Sequence, residues 1–288
     1  MIPRSILVCA AVLLAWHFAM PRLTRAYYTI PGQQRANYMH AQKFVHDVSQ
    51  DAEVIVGSSM ADRLNEVTLG KKRVKMTFPG GGPFTGLEII RQTGRRPPVV
   101  WIETNVLLRD AEEDLLADVL SPWRMKLREA SPVFKEEGRP SEYGIGFLKA
   151  VVDKLGKLAP GTAVAQAGGL DDDVFAGIMK ANREHLSRSH PEAEMKARAE
   201  RLGGYVDDLM RAGTKCVLFE MPIDSTLRDL AEPADLRKAV KERFPNGKYT
   251  WLELEPGREW KTSDGIHLQP EEADQVITRM VEFGKTLR

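Results

Sequence analysis

Apolar positions along the chain fall into short β-branched runs separated by longer stretches of mixed polarity. The first run, Glu53-Val54-Ile55-Val56-Gly57, is continuous and ends in glycine, which predicts a parallel strand buried on both faces, not a half-exposed one. A helix-compatible segment follows at 60–67. The alternation repeats with strand 73–78, helix 84–91 and strand 99–104. It resumes after a long interval with strand 215–221, helix 227–244, strand 249–254 and helix 271–287. Strand, loop and helix in succession imply right-handed crossovers and a parallel sheet. The expected fold is a three-layer α/β/α sandwich built on five parallel strands.

Two stretches break the rhythm. The first lies at the start, where Ser5 to Met20 holds sixteen residues without a formally charged side chain, preceded by Arg4 and followed by Pro21, Arg22 and Arg25. A spanning helix needs about 20 apolar residues, with a lower limit near 17, so this run is short for an anchor and long enough for a signal-peptide core. Phe18-Ala19-Met20 is a poor cleavage site, and Leu7-Val8-Cys9 lacks the small residue that lipidation before Cys9 would need. The reading is an uncleaved single anchor at 1–25 with the following domain outside the cytoplasmic membrane, periplasmic; a cleaved signal and secretion are the alternative. Residues 26–51, polar and helix-compatible, read as a stalk or covering helix.

The second exception, about 106–191, carries charged helical segments at 109–120 and 123–130, a Pro/Gly/Glu-rich break at 136–140, an amphipathic stretch at 147–158 and a loop at 160–169. It reads as a largely helical insertion between the third and fourth strands of a domain covering 52–288. Such an insertion sits at the carboxyl edge of the sheet, where open α/β folds bind ligands.

Composition narrows the functional classes. With 288 residues, 43% hydrophobic and 28% charged, the chain can bury one large core and is not a multi-span membrane protein. Its 41 basic and 40 acidic side chains leave +1, so no global field favours nucleic acid. Cys9 and Cys216 cannot build a disulfide framework. No HExxH, CxxC or close histidine pair is present, so neither a metal nor another cofactor is expected.

Candidate chemistry starts at Val56-Gly57-Ser58-Ser59-Met60, where Ser59 stands on a sharp strand-to-helix turn with its hydroxyl above the sheet, a position that suits a nucleophile. The same residues also make a good turn and helix cap. A serine nucleophile needs a base. Of the six histidines, only His267 falls between the last strand and the last helix, in Ser263-Asp264-Gly265-Ile266-His267-Leu268. Parallel strands end on one edge, so this loop can lie beside Ser59; Asp264, three residues earlier, can accept the imidazole Nδ1–H and leave Nε2 for the serine proton. Phe78-Pro79-Gly80-Gly81-Gly82-Pro83 follows the second strand and lets a backbone N–H approach a substrate oxygen. It matches no phosphate loop, having neither Gly-Lys-Ser/Thr nor a G-x-G-x-x-G spacing after the first strand. The third strand delivers Asn105, whose amide is a further donor.

With these four segments in order, the chain resembles the SGNH hydrolases, also called GDSL-like esterases and acyltransferases, from about residue 53 to the C-terminus apart from the insertion. Gly57-Ser58-Ser59 matches the first block, in the Gly-Ser-Ser form found among membrane-associated members. Gly80 matches the second-block glycine, with Gly81 as the alternative register. Glu103-Thr104-Asn105 matches the third block but departs from the common G-x-N-D, with glutamate two residues before the asparagine and Val106 after it. Asp264 and His267 match the D-x-x-H block. The resemblance implies a flavodoxin-like sheet, a catalytic Ser59–His267–Asp264 set, and an oxyanion hole from Ser59 N–H, Gly80 N–H and Asn105.

By resemblance to membrane-anchored members of the family, the expected activity is O-acyl transfer, O-acetyl above all, to an exopolysaccharide or other envelope glycan. A multi-span membrane acyltransferase would act as the acyl-donating partner. An esterase removing acyl groups is the first alternative, and an idle assembly or glycan-binding subunit the second. Trp123, Phe134, Tyr143 and Phe147 in the insertion could stack on sugars but read mainly as core. Lys71-Lys72-Arg73 and Arg95-Arg96 read as solvated turns. Glu103 could bond Asn105 or the active-site loop, or be an ordinary strand-end carboxylate.

Overall fold

The computed structural model describes residues 4–19, 32–139, 172–255 and 257–287. The expected stretches at 147–158 and 160–169, with Tyr143 and Phe147, lie outside them. Elements follow in the order α1 Arg4–Ala19, α2 Gln33–Asp47, β1 Glu53–Gly57, α3 Ser59–Asp62, α4 Glu66–Leu69, β2 Arg73–Thr77, α5 Pro83–Thr93, β3 Val99–Glu103, α6 Glu113–Val119 and α7 Pro122–Ala130. After these come α8 Asp172–Leu186, α9 Glu192–Arg211, β4 Lys215–Phe219, α10 Ser225–Arg228, α11 Ala231–Arg243, β5 Thr250–Leu252 and α12 Pro270–Thr286. The chain divides into two compact units, Met1–His46 with Ala117–Gly168, and Asp47–Leu116 with Gly169–Arg288.

The second unit holds the sheet. Its five strands run β2-β1-β3-β4-β5, every pair parallel, in the flavodoxin-like order whose direction reverses between β1 and β3. Side chains alternate across the sheet. Ile55, Trp101, Val217 and Phe219 join one apolar cluster with Met60 and Ala61 of α3 and Val276, Ile277 and Met280 of α12. On the other face Val56 meets α5 so closely that a Cβ at Gly86 would lie 2.9 Å from its Cγ1. Cys216 is buried beside Val206 of α9, 3.9 Å from its carbonyl; burial pushes the thiol up to about 12, so it remains a protonated apolar group. Burying each large aliphatic side chain of this kind stabilises the fold by about 1.5–3 kcal/mol.

Two expected helices are divided. The segment 60–67 breaks because the Asn65 side chain accepts the Val67 N–H at 2.9 Å, starting α4 anew instead of continuing α3. Residues 227–244 form two helices, the first capped by Asp224. Arg73, expected in a solvated turn, lies against the buried Glu53 carboxylate at 2.9 Å.

In the first unit, α1 is apolar all round and has no buried residue. Its end is pinned, with Trp16 Nε1 donating to the Gly138 carbonyl at 2.8 Å and His17 Nδ1 bonded to Ser131 Oγ at 2.8 Å. Among the described residues no helix is long and apolar enough to cross a membrane. In α2, Gln42 accepts the Glu136 N–H at 2.8 Å. Trp123 and Phe134 are 61% and 39% exposed, so neither is the core residue expected of it. Each stands on a short helical turn whose buried positions are taken by Arg128 and Val133.

Candidate active site

Register aligns the carboxyl ends of β1, β2 and β3: Gly57 pairs with Thr77, and Val56 with Ile102. The segments that follow these strands therefore start from one edge, at the point where strand order reverses. β1 runs directly into α3 through Ser58. The Ser58 Oγ accepts the Met60 N–H at 3.1 Å, making Ser58 the helix cap and leaving Ser59 as the first helical residue. The turn thus serves as a cap at Ser58 and presents a hydroxyl at Ser59.

A buried acid holds this turn from below. Glu103, at the end of β3, is fully inaccessible. Its Oε2 accepts the N–H groups of Ser58 (2.8 Å) and Ala61 (3.2 Å), and its Oε1 accepts the Ser58 hydroxyl (2.7 Å). A Cβ on Gly57 would lie 2.5 Å from Oε2, so only glycine lets the carboxyl reach the turn. Burial pushes this carboxyl up, against the lowering pull of the bonds from Ser58 and Ala61 and of His267. Of the three readings the sequence left to Glu103, the contacts are those with the loop that carries Ser58 and Ser59.

Ser59 Oγ lies 2.8 Å from His267 Nε2, and His267 Nδ1 lies 2.6 Å from Asp264 Oδ2. Residues 208 positions apart meet because both follow strand ends on one edge. Asp264 is fixed by its other oxygen, which accepts the N–H groups of His267 (2.8 Å) and Ile266 (3.0 Å). Burial pushes the Asp264 carboxyl up, but the bonds from the His267 ring and from these two amides outweigh it and hold it down at about 2. The carboxylate is thus charged and aimed at the imidazole, which selects the tautomer with a proton on Nδ1 and a free Nε2.

The histidine loop is tied at several points. Ser263 N–H donates to the His267 carbonyl at 2.8 Å, Gln269 N–H to Lys261 at 3.0 Å, and Asp224 N–H to Gly265 at 2.9 Å. Helix α8 adds a brace: Asn182 Nδ2 donates to the Asp264 carbonyl at 2.8 Å, and a Cβ on Gly265 would run into Met179 Sδ of the same helix, with Leu227 Cδ1 of α10 at 2.8 Å. Nothing in the local pattern around Asn182 signals this role, because its partner is reached only through tertiary packing. His190 is half-buried, bonded to Glu232 at 3.2 Å, while His185 is exposed.

The glycine run begins with a tight turn. Gly81 N–H donates to the Phe78 carbonyl at 2.8 Å, with Pro79 second and Gly80, at φ +83°, third. This is a type II turn, which favours glycine at that third position. The turn uses the Gly81 N–H and leaves that of Gly80 unspent. Asn105 is held by the chain leaving β4: its Oδ1 accepts the Met221 N–H at 2.7 Å and its Nδ2 donates to the Met221 carbonyl at 2.9 Å. An amide nitrogen carries two hydrogens, so one remains.

Neither a protein-family model nor a curated protein matches the chain.

The site must therefore be read from its own geometry. A hydroxyl, an imidazole and a carboxylate in hydrogen-bonded series can transfer a proton from Ser59 and store the positive charge on His267. Among the described residues no cluster of histidine, cysteine and acidic side chains could hold a metal ion.

Proposed function

We propose that the protein is a serine O-acyltransferase of the SGNH type, anchored in the cytoplasmic membrane with its site outside, transferring acyl groups, acetyl above all, to an exopolysaccharide or other envelope glycan. The observation that carries the chemistry is the Ser59–His267–Asp264 series at 2.8 and 2.6 Å. His267 Nε2 takes the Ser59 proton as Oγ adds to the acyl carbonyl carbon. The tetrahedral oxyanion is held by the N–H groups of Ser59 and Gly80 and the remaining Asn105 N–H. Collapse breaks the bond to the leaving oxygen, which receives the proton from His267. A glycan hydroxyl then loses its proton to His267 and attacks the seryl ester, and Ser59 departs reprotonated.

The location rests on α1. A helix that is apolar on every side finds no partner in water, and Ile6, Leu7, Val8, Val12 and Leu14 are each more than half exposed. At 1.5 Å per residue the described helix is about 24 Å long, against about 30 Å of hydrocarbon. The length falls short of a full crossing among the described residues, so it is the exposed apolar surface of α1, not its length, on which the proposed membrane anchor rests; a multi-span acyltransferase is the proposed donor partner.

The test is turnover of 4-nitrophenyl acetate by the full chain in detergent, with and without envelope-glycan fragments. Faster release of nitrophenol accompanied by acetylated sugar in the mass spectrum is the expected result. Unchanged release with free acetate alone would make the protein an esterase. Absence of fluorophosphonate labelling at Ser59, beside a serine esterase that reacts, would remove the acyl-enzyme altogether.

A further inference from the structure

The chain segments leaving β4 and β5, with α10 and α11, line a half-open cavity of about 430 Å³ that none of the proposed chemistry uses. Its size lies within the range of about 300–1,000 Å³ typical of small-molecule sites. It adjoins the catalytic loops through shared residues. Met221 forms part of its wall and grips Asn105. Ile223 and Ser225 line it on either side of Asp224, whose N–H is bonded to Gly265 in the histidine loop.

The lining is of three kinds: Met221, Pro222, Ile223, Leu252 and Leu254 supply aliphatic surface, and indoles and paired charges make up most of the rest. Trp251 and Trp260 supply indole surface. Trp251 is fixed by its Nε1 donating to the Phe244 carbonyl at 2.9 Å and by Lys241 Nζ, 3.5 Å from the ring centre; Arg258 lies 4.2 Å over Trp260. Around these rings every basic group of the lining is matched by an acid. Arg237 makes a bidentate pair with Glu220 at 2.6 and 2.8 Å. Lys241 meets Glu253 at 3.0 Å, and Arg258 meets Glu272 at 2.7 Å and Glu255 at 3.5 Å. Arg228 meets Asp229 at 3.5 Å.

This chemistry selects among ligands. An anionic ligand gains most from cations without counter-charges, and here each has one. A fatty chain could lie on the aliphatic side chains but would strip water from the ion pairs around them and return no hydrogen bond for that desolvation. A ligand whose hydroxyls both donate and accept can bond carboxylates and guanidinium groups alike, while its C–H faces lie on indole. We infer that the cavity is a subsite for an uncharged pyranose unit of the acceptor polymer, held between Trp251, Trp260 and the paired charges. The role as acceptor rests on the acyl-transfer reading; the preference for an uncharged sugar does not.

The experiment titrates the full chain, in detergent and without acyl donor, with cellohexaose, mannohexaose, isomaltohexaose and hexagalacturonate, following tryptophan fluorescence and saturation-transfer NMR. At least one neutral hexasaccharide is expected to bind saturably and at least tenfold more tightly than hexagalacturonate. Trp260→Ala should weaken that binding at least tenfold. Because Trp260 also packs on the core, Glu253→Gln is the companion: its side chain is 58% exposed, and losing its charge frees Lys241, so the neutral-to-anionic preference should fall at least fivefold. No binding of any neutral hexasaccharide, tighter binding of hexagalacturonate, or an unchanged preference in Glu253→Gln would overturn the inference. Fluorophosphonate labelling of Ser59 in the same preparation separates the two readings: a labelled serine without sugar binding removes the subsite, and sugar binding with an inert serine removes the acyl transfer.

Discussion

Replacing Glu103 isolates the support beneath the proposed nucleophile, Ser59, from that serine itself. Glu103→Ala removes the only acceptor described for three buried donors, the Ser58 and Ala61 amides and the Ser58 hydroxyl. The hydroxyl can rotate; the two amides cannot. At about 1–3 kcal/mol for each unsatisfied buried group, the loss is about 2–6 kcal/mol, a large part of a domain stability of about 5–15 kcal/mol. At about 2–4 °C per kcal/mol for a unit of this size, the midpoint corresponds to a Tm lower by about 8–16 °C. Glu103→Gln has the shape of the protonated acid. Its Oε1 can take both amides while its Nε2 donates to Ser58 Oγ, so the cost should stay within about 1 kcal/mol. The two forms also differ with pH. Burial raises the Glu103 carboxyl in the folded protein, so the native state keeps a proton that the unfolded chain releases near pH 4.3. This group's contribution is complete below that pH and is lost as pH rises through the raised native value. Glutamine has no such dependence, so its stability should gain on wild type as pH rises above about 4.3. Urea melts followed by circular dichroism at pH 4, 5.5 and 7 measure both effects. A Glu103→Ala protein within 1 kcal/mol of wild type, or a Glu103→Gln protein as unstable as Glu103→Ala, would refute the reasoning.

Other outcomes follow from the same geometry. His267→Ala should lower turnover of 4-nitrophenyl acetate by at least about 10³-fold, because Ser59 loses its base; full retention of rate removes the triad. Asn105→Ala, which deletes a proposed oxyanion donor, should cost about 10²- to 10³-fold in kcat. Asn182→Ala should lower kcat roughly tenfold with KM little changed and shift the pH–rate profile, since Asn182 acts only by positioning Asp264; an unaltered profile would make it merely structural. Asp264, held at about 2, contributes stability that is present above about pH 3.9 and lost as pH falls toward 2. Asp264→Asn should flatten acid unfolding across that window, as read by circular dichroism.

The parts legible beforehand were those set by short-range pattern. Strands β1, β3 and β4 are buried on both faces, so their apolar runs were unbroken and stood out, while β2, interrupted by Lys75, fitted the same repeat of strand and helix. The D-x-x-H spacing placed Asp264 and His267 in one loop, and strand-end convergence was enough to bring Ser59 to them. What the pattern could not carry depends on partners distant in sequence. Asn65 looked like an ordinary helix residue until its side chain capped α4. Glu103 had two plausible partners, and the missing Cβ at Gly57 decided between them. Gly80 and Gly81 were distinguished only when the turn consumed one N–H. Helix α9 and the brace at Asn182 fell beside or in a segment legible only as a largely helical insertion, because the partners of its side chains lie on other elements.

If the proposed acyl transfer holds, the contact from α8 to the Asp264 carbonyl bears on what a chain must keep to stay active. A protein carrying the serine, aspartate and histidine at their proper places could still be inert if the segment between β3 and β4 had been shortened or replaced. An inventory of the three reacting residues is therefore an incomplete description of this site. Relatedness in activity has to be judged also on whether some side chain from that intervening helix still steadies the acidic loop.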